Sequence, residues 1–374
     1  MQIKKHALAE SALGTNRELI SFHYGTPGAG QKIYIQASLH ADELPGMLVA
    51  HHLRNRIEAL EAAGKLNGEI VIVPVANPIG MAQMMMRTHL GRFDIGTGEN
   101  FNRHYPALFD GVAERVVNLL TDDARRNVVQ IRQAMRAVLA DESISRAATE
   151  ISSLRKTLLS LACDADVVLD LHCDFDAVLH LYTGTSLWPL AEPLARYLGA
   201  SATLLATESG DNPFDEACSQ TWWQLSEHFP KYPIPLSCLS VTVELRGMND
   251  VNHPQAIADA DAIISFLQHR GAIHGDPPTL PALKYPATPL AGAESITTPV
   301  SGVVAFLRES GDWVKVGDAV AEVINPITGH VHTLKSATEG IIYAQENHHF
   351  ATAGMWLVKV AGSTPFRTGK LLSA

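Results

Sequence analysis

An imidazole and a carboxylate three residues apart, His40 and Glu43, occur in Gln36-Ala-Ser-Leu-His-Ala-Asp-Glu-Leu-Pro-Gly46, overlapping the end of the strand-like run Ile33–Ser38. One ring nitrogen, one carboxylate oxygen and a second histidine from elsewhere make a donor set that leaves a catalytic zinc one open position. Taken alone, this spacing is common in solvated turns and needs context. The context comes from Asp166-Val-Val-Leu-Asp-Leu-His172-Cys-Asp174, a β-branched run ending on a histidine, and from Cys238-Leu-Ser-Val-Thr-Val-Glu244-Leu-Arg-Gly247, which delivers a glutamate. Zinc on His40, Glu43 and His172, one ion per chain, would polarise a carbonyl and bring the pKa of a water in the open position near neutrality. That chemistry needs a carboxylate to take the water's proton and pass it to a leaving amine, and Glu244 suits this general base and acid. The structural alternative for Glu244 is a strand-end ion pair with Arg246. Asp170 either orients a ligand histidine or is a polar residue on an alternating strand.

These residues converge only if several strands end at one place. Short β-branched runs at Ile33–Ser38, Ile70–Ala76, Val167–Leu171, Val178–Tyr182, Ala202–Ala206 and Leu239–Glu244 alternate with helix-like stretches. That alternation predicts an α/β domain with a mostly parallel sheet flanked by helices, in which ligands bind beyond the carboxyl ends of the strands. Pro45 suits the first turn of a helix. The strand-poor segment from about 111 to 162 predicts two helices in an inserted hairpin. It offers a solvated face or a subunit contact rather than catalysis, so a homo-oligomer is one expected state. A long loop follows Asn77-Pro78 and carries Arg87, Arg92 and the run Asn102-Arg103. The planar fork of Arg103 suits a substrate carboxylate gripped in two bonds, with Asn102 adding a donor.

Composition narrows the class. The chain has 374 residues, 46% hydrophobic and 18% charged, with net charge −10, which fits a folded globular protein of about two domains and argues against a nucleic-acid partner. The start is too short on apolar residues for a signal peptide and no apolar run approaches a membrane span, so no membrane partner and a cytoplasmic location are expected. Cys163, Cys173, Cys218 and Cys238 form no C-x-x-C pair and read as free thiols.

After Arg270 the texture changes. A Pro-rich linker is expected over 276–290, closing a first domain at about residue 275. From 291 to 374 short β-runs with Gly-Asp turns predict an all-β domain. Its doubled Gly-β-β units, Val300–Val323 and Ala337–Val360, resemble the biotinyl/lipoyl barrel-sandwich fold, but the carrier-lysine hairpin is replaced by Asn325-Pro-Ile-Thr-Gly329.

Taken in order, His40-x-x-Glu43, Asn77-Pro78, Asn102-Arg103, Asp170-Leu-His172 and Val243-Glu244 resemble the succinylglutamate desuccinylase/aspartoacylase family, relatives of zinc carboxypeptidases, over most of residues 30 to 270. The resemblance implies a carboxypeptidase-like α/β domain, zinc on His40, Glu43 and His172, Glu244 as general base, and Asn102 with Arg103 on a substrate carboxylate. It also implies an arginine near the oxyanion, a role given to Arg92 with Arg87 as competitor. The expected activity is a zinc-dependent amidohydrolase that removes an acyl group from a small N-acyl amino acid. A carboxypeptidase-like peptidase and a catalytically silent binding module are the alternatives. Ala41 stands where the family usually has glycine, and the 111–162 segment is unlike the best-known members.

Overall fold

The computed structural model describes residues 1–141 and 149–372. Its main sheet is built from β1 (Gln2–Ala7), β2 (Glu18–Gly25), β3 (Gln31–Ala37), β4 (Gly68–Val73), β5 (Val167–Asp174), β6 (His180–Gly184), β7 (Ala202–Ala206), β8 (Leu239–Gly247) and β9 (Thr288–Pro289). The spatial order is β1-β2-β4-β3-β5-β8-β6-β7-β9. Strands β4, β3, β5 and β8 are consecutive parallel neighbours, while β1, β2 and the β8/β6 pair run antiparallel. The sheet is therefore mostly parallel at its centre. β4 and β5 are buried along their whole length, as expected of strands covered on both faces.

The covering helices are α1 (Pro45–Ala62), α2 (Pro78–Met81), α3 (Phe109–Val116), α4 (Ala124–Ala140), α5 (Glu150–Ala162), α6 (Trp188–Leu198), α7 (Phe214–His228) and α8 (His253–His269). α1, α6 and α8 share one core with Ile35, Leu169, Leu171, Val241 and Val243. α3, α4, α5 and α7 share the other with Tyr34 and Val168. Because side chains alternate along a strand, Asp170, His172 and Glu244 belong to the second face. The polar positions of β5 and β8 thus lie together, beneath the helices that the sequence marks as an insertion.

Three expectations change. The 111–162 segment holds three helices among the described residues rather than two, because Asp123 caps a fresh start by accepting from the Arg125 and Arg126 N–H groups. The end of the expected linker, Thr288–Pro289, adds a parallel edge strand beside β7, so residues up to 290 are not all connector. Strands β1 and β2 were not anticipated; their exposed and buried positions alternate on an edge ribbon, a weaker signal than the apolar central strands.

The C-terminal residues form β10 (Ala293–Thr297), β11 (Gly302–Phe306), β12 (Trp313–Val314), β13 (Ala319–Ile324), β14 (Val331–Lys335), β15 (Gly340–Gln345), β16 (Phe350–Ala351) and β17 (Trp356–Gly362). They make two antiparallel sheets, β10-β17-β15-β12 and β14-β13-β11-β16, around a core that includes Val304, Val320, Val323, Ile342 and Val358. Asp176–Ala177, just past β5, pair with β15 and join this unit to the main sheet beside the site.

Candidate metal centre and active site

The turn after β3 is held from several sides. Ser38 adopts φ 64°, a left-handed conformation that turns the chain out of the strand toward the site. Asn77 Nδ2 donates to the Leu39 carbonyl at 2.9 Å while its Oδ1 accepts from Gly80 N at 2.8 Å, which accounts for the Asn-Pro pair without giving it chemistry. A Cβ on Gly91 would lie 2.2 Å from Asp42 N, so only glycine lets the chain there close on the turn. Gly46, one residue into α1, would drive a Cβ to 2.9 Å from the Leu171 carbonyl, and its absence lets α1 sit against β5. Ala41 has no positive φ to satisfy, and its methyl fills room that Gly80 leaves, so alanine is tolerated there.

His40, Glu43 and His172 are all buried, with one donor atom each within 4.8 Å of the others. His40 Nδ1 lies 2.9 Å from Glu43 Oε1, and His172 Nδ1 lies 2.8 Å from Glu43 Oε2. Asn100 Oδ1 accepts the Asn102 N–H at 2.8 Å, which fixes that atom as an acceptor; His40 Nε2, 2.9 Å from the same oxygen, must then carry a hydrogen. Burial pushes His40 down to about 4, so it is neutral near neutral pH and its Nδ1 lone pair faces a carboxylate oxygen. A cation between that nitrogen and the carboxylate would satisfy both. His172 is also desolvated, which favours the neutral ring, but the carboxylates of Asp170 and Glu43 outweigh this and raise its pKa. Asp170 Oδ2 is 2.9 Å from His172 Nε2, close but poorly aligned for a hydrogen bond. The donor set fits a divalent metal, with Asn100 bonded to the His40 ring and the Asp170 carboxylate beside that of His172.

Glu244 sits opposite His172 in the β5/β8 register and lines the same cavity. Burial, then the Glu43 charge, raises its pKa to about 8, and its Oε2 has no hydrogen-bond partner. The Arg246 ion pair is not formed: a bulge follows Glu244, Arg246 takes φ 67°, and its guanidinium pairs with Asp259 on α8. Arg92 reaches the centre, its Nη2 3.3 Å from Glu43 Oε1, whereas Arg87 is exposed in the turn of the small hairpin Met84–His89. Asn102 and Arg103 are buried and line the cavity. Asn102 Oδ1 accepts from Phe214 N at 2.9 Å, so its amide N–H groups are its remaining donors. Cys173 contributes its backbone N–H to Glu43 Oε2 at 3.1 Å, with its thiol outside the metal group.

The cavity has a volume of about 330 Å³. Its far wall comes from residues that sequence reasoning did not reach. Lys359 Nζ on β17 bonds Asp174 Oδ2 at 2.7 Å, Trp356 stacks on Phe175 at 5.7 Å, and Glu346 adds a carboxylate. Asp215 and Glu216 in the first turn of α7 line it as well. Burial raises these two carboxyls, to about 6 and about 7. No motif marks any of these, because each is an ordinary residue brought in by packing.

An open, centrally parallel α/β sheet thus carries, beyond its strand ends, a buried His-Glu-His group that could hold a metal ion, with a β unit beside it. The succinylglutamate desuccinylase/aspartoacylase catalytic domain matches residues 29–270, and the chain belongs to that family. It is similar over 96% of its length to a family protein from Shewanella amazonensis, covering 98% of that chain at 27% identity and a TM-score of 0.82. A second, from Shewanella frigidimarina, shares the fold at 23% identity and TM-score 0.84, with 96% and 97% of the two chains covered. The ectoine utilization protein EutE of Ruegeria pomeroyi shares it at 16% identity and TM-score 0.67, with 97% and 95% covered. No curated protein matches the chain. Among the described residues no helix is long and apolar enough to cross a membrane.

Proposed function

We propose that this chain is a zinc-dependent amidohydrolase that removes the acyl group from an N-acyl amino acid or a related small carboxylate. The observation that carries the reading is the pair of histidine Nδ1 atoms facing the two oxygens of one buried glutamate, with Glu244 in the same cavity. Zinc on His40, Glu43 and His172 supplies a Lewis acid and a water of lowered pKa. Glu244 takes the proton of the attacking water and returns it to the departing amine, a task suited to a buried carboxyl raised above the usual carboxylate range. Arg103 and Asn102 hold the substrate carboxylate, and Arg92 brings positive charge to the developing oxyanion. Asp170 and Asn100 keep the two rings oriented.

The roof favours this reading over a carboxypeptidase-like one. A cavity of about 330 Å³ walled on one side by Trp356, Lys359 and Glu346 suits a small molecule better than an extended peptide. The test combines metal analysis with a panel of N-acyl amino acids and short peptides, on wild type and Glu244→Ala. Stoichiometric zinc in both proteins, with deacylation in wild type reduced by about 10²-fold or more in the variant, is expected. Full activity in Glu244→Ala removes that residue from the mechanism. Metal-free protein without hydrolysis supports the binding-module alternative.

A further inference from the structure

Arg155 lies on α5, in the segment that carries no motif, and is 6% exposed. Its Nη1 donates to Glu99 Oε2 at 2.7 Å and its Nη2 to the Asn100 carbonyl at 3.0 Å. The guanidinium therefore grips one turn by side chain and backbone together. That turn holds much of the site. Asn100 Oδ1 accepts from His40 Nε2, Asn102 and Arg103 follow it directly, and Phe101 N donates to the Arg92 carbonyl at 3.2 Å. Asp94 N donates to the Glu99 carbonyl at 2.8 Å, closing the loop on itself.

We propose that Arg155 is a positioning residue for the metal ligand His40, acting through Glu99 and Asn100, so that the inserted helices set the geometry of the centre. The inference rests on the metal-site reading above. A planar fork making two bonds fixes direction as well as distance, which lysine cannot reproduce. The anchor it holds is a neutral amide, while His172 is faced by the carboxylate of Asp170. The His40 ring depends on placement of that amide more than on charge, and placement is what Arg155 supplies. Partners one step removed from a metal commonly change its affinity by about 10- to 100-fold when lost.

The test is zinc affinity by chelator competition on the full chain, with ¹⁵N NMR of the His40 ring in metal-free protein. Arg155→Ala is expected to weaken zinc about 10-fold and to shift the His40 ring resonances of the metal-free protein away from those of wild type. Arg155→Lys should fall between the two. The double variant Asn100→Ala/Arg155→Ala should bind zinc as Asn100→Ala does, because both act along one route. Wild-type affinity and ring signature in Arg155→Ala, or additive losses in the double variant, overturn the proposal. If wild type binds no zinc, the metal-site reading fails and the ring signature alone decides this one. If Arg155→Ala does not fold, Glu99→Gln takes its place. Several-fold weaker zinc then supports the role and unchanged affinity overturns it.

Discussion

On the floor of the cavity Glu43 is held by His40, His172, the Cys173 N–H and Arg92, and the rings are held in turn by Asn100 and Asp170. Asp170 is itself fixed by Gln36 Nε2 at 3.0 Å, and Gln36 by the Tyr34 hydroxyl at 2.8 Å, all inside the sheet domain. The roof meets the sheet domain through the Lys359 to Asp174 ion pair, the Trp356 to Phe175 stack, the short Asp176–Ala177 strand and an apolar seam in which Tyr343 and Ala344 join Ala177 and Leu204. A dense buried network of polar groups holds one geometry. Under the proposed function, the floor sets the chemistry and the roof sorts substrates.

The largest expected effect would break the floor. His172→Ala should abolish both stoichiometric zinc and hydrolysis; retained metal and activity would sink the donor set. A change in the roof should do less to chemistry and more to binding. Lys359→Met leaves Asp174 buried without its partner, a loss on the order of 3 kcal/mol of stability, seen as a lower unfolding midpoint. The same variant should keep its zinc and raise KM about tenfold more than it lowers kcat. Equal loss in both constants would mean that the roof also shapes the reacting geometry.

The smallest effect concerns pH. Glu216 has its pKa raised from 4.5 to about 7 by burial and by Asp215, so the folded chain holds a proton that the unfolded chain releases. Stability from this group is complete below about pH 4.5 and is lost as pH rises toward about 7. Glu216→Gln keeps an oxygen for the Ser209 N–H and removes that loss. The variant's unfolding midpoint should therefore gain on wild type between pH 5 and pH 8, with little difference at pH 5. A constant offset across that range would show that the carboxyl does not titrate there.

Residue type and strand-end position were enough to pick out His40, Glu43, His172 and Glu244, because period-two alternation and parallel order bring such positions to one edge of a sheet. The family resemblance left Arg92 and Arg87 in competition, and the fold places only Arg92 beside Glu43. The helical segment shows the limit: its periodicity announced helices but neither their number nor that Arg155 would reach the loop beneath His40. What the chain by itself determined is the His40-x-x-Glu43 turn and the strand alternation that places His172 and Glu244 on one face, since both depend on neighbours in sequence. Only the tertiary structure decided that Arg246 pairs away from Glu244, that Asn100 fixes the tautomer of His40, and that Lys359 and Trp356 wall the cavity. The Asn100 and Lys359 contacts join residues 60 and 185 positions apart, the Arg246 pairing turns on a single bulge, and no local pattern encodes which surfaces will meet.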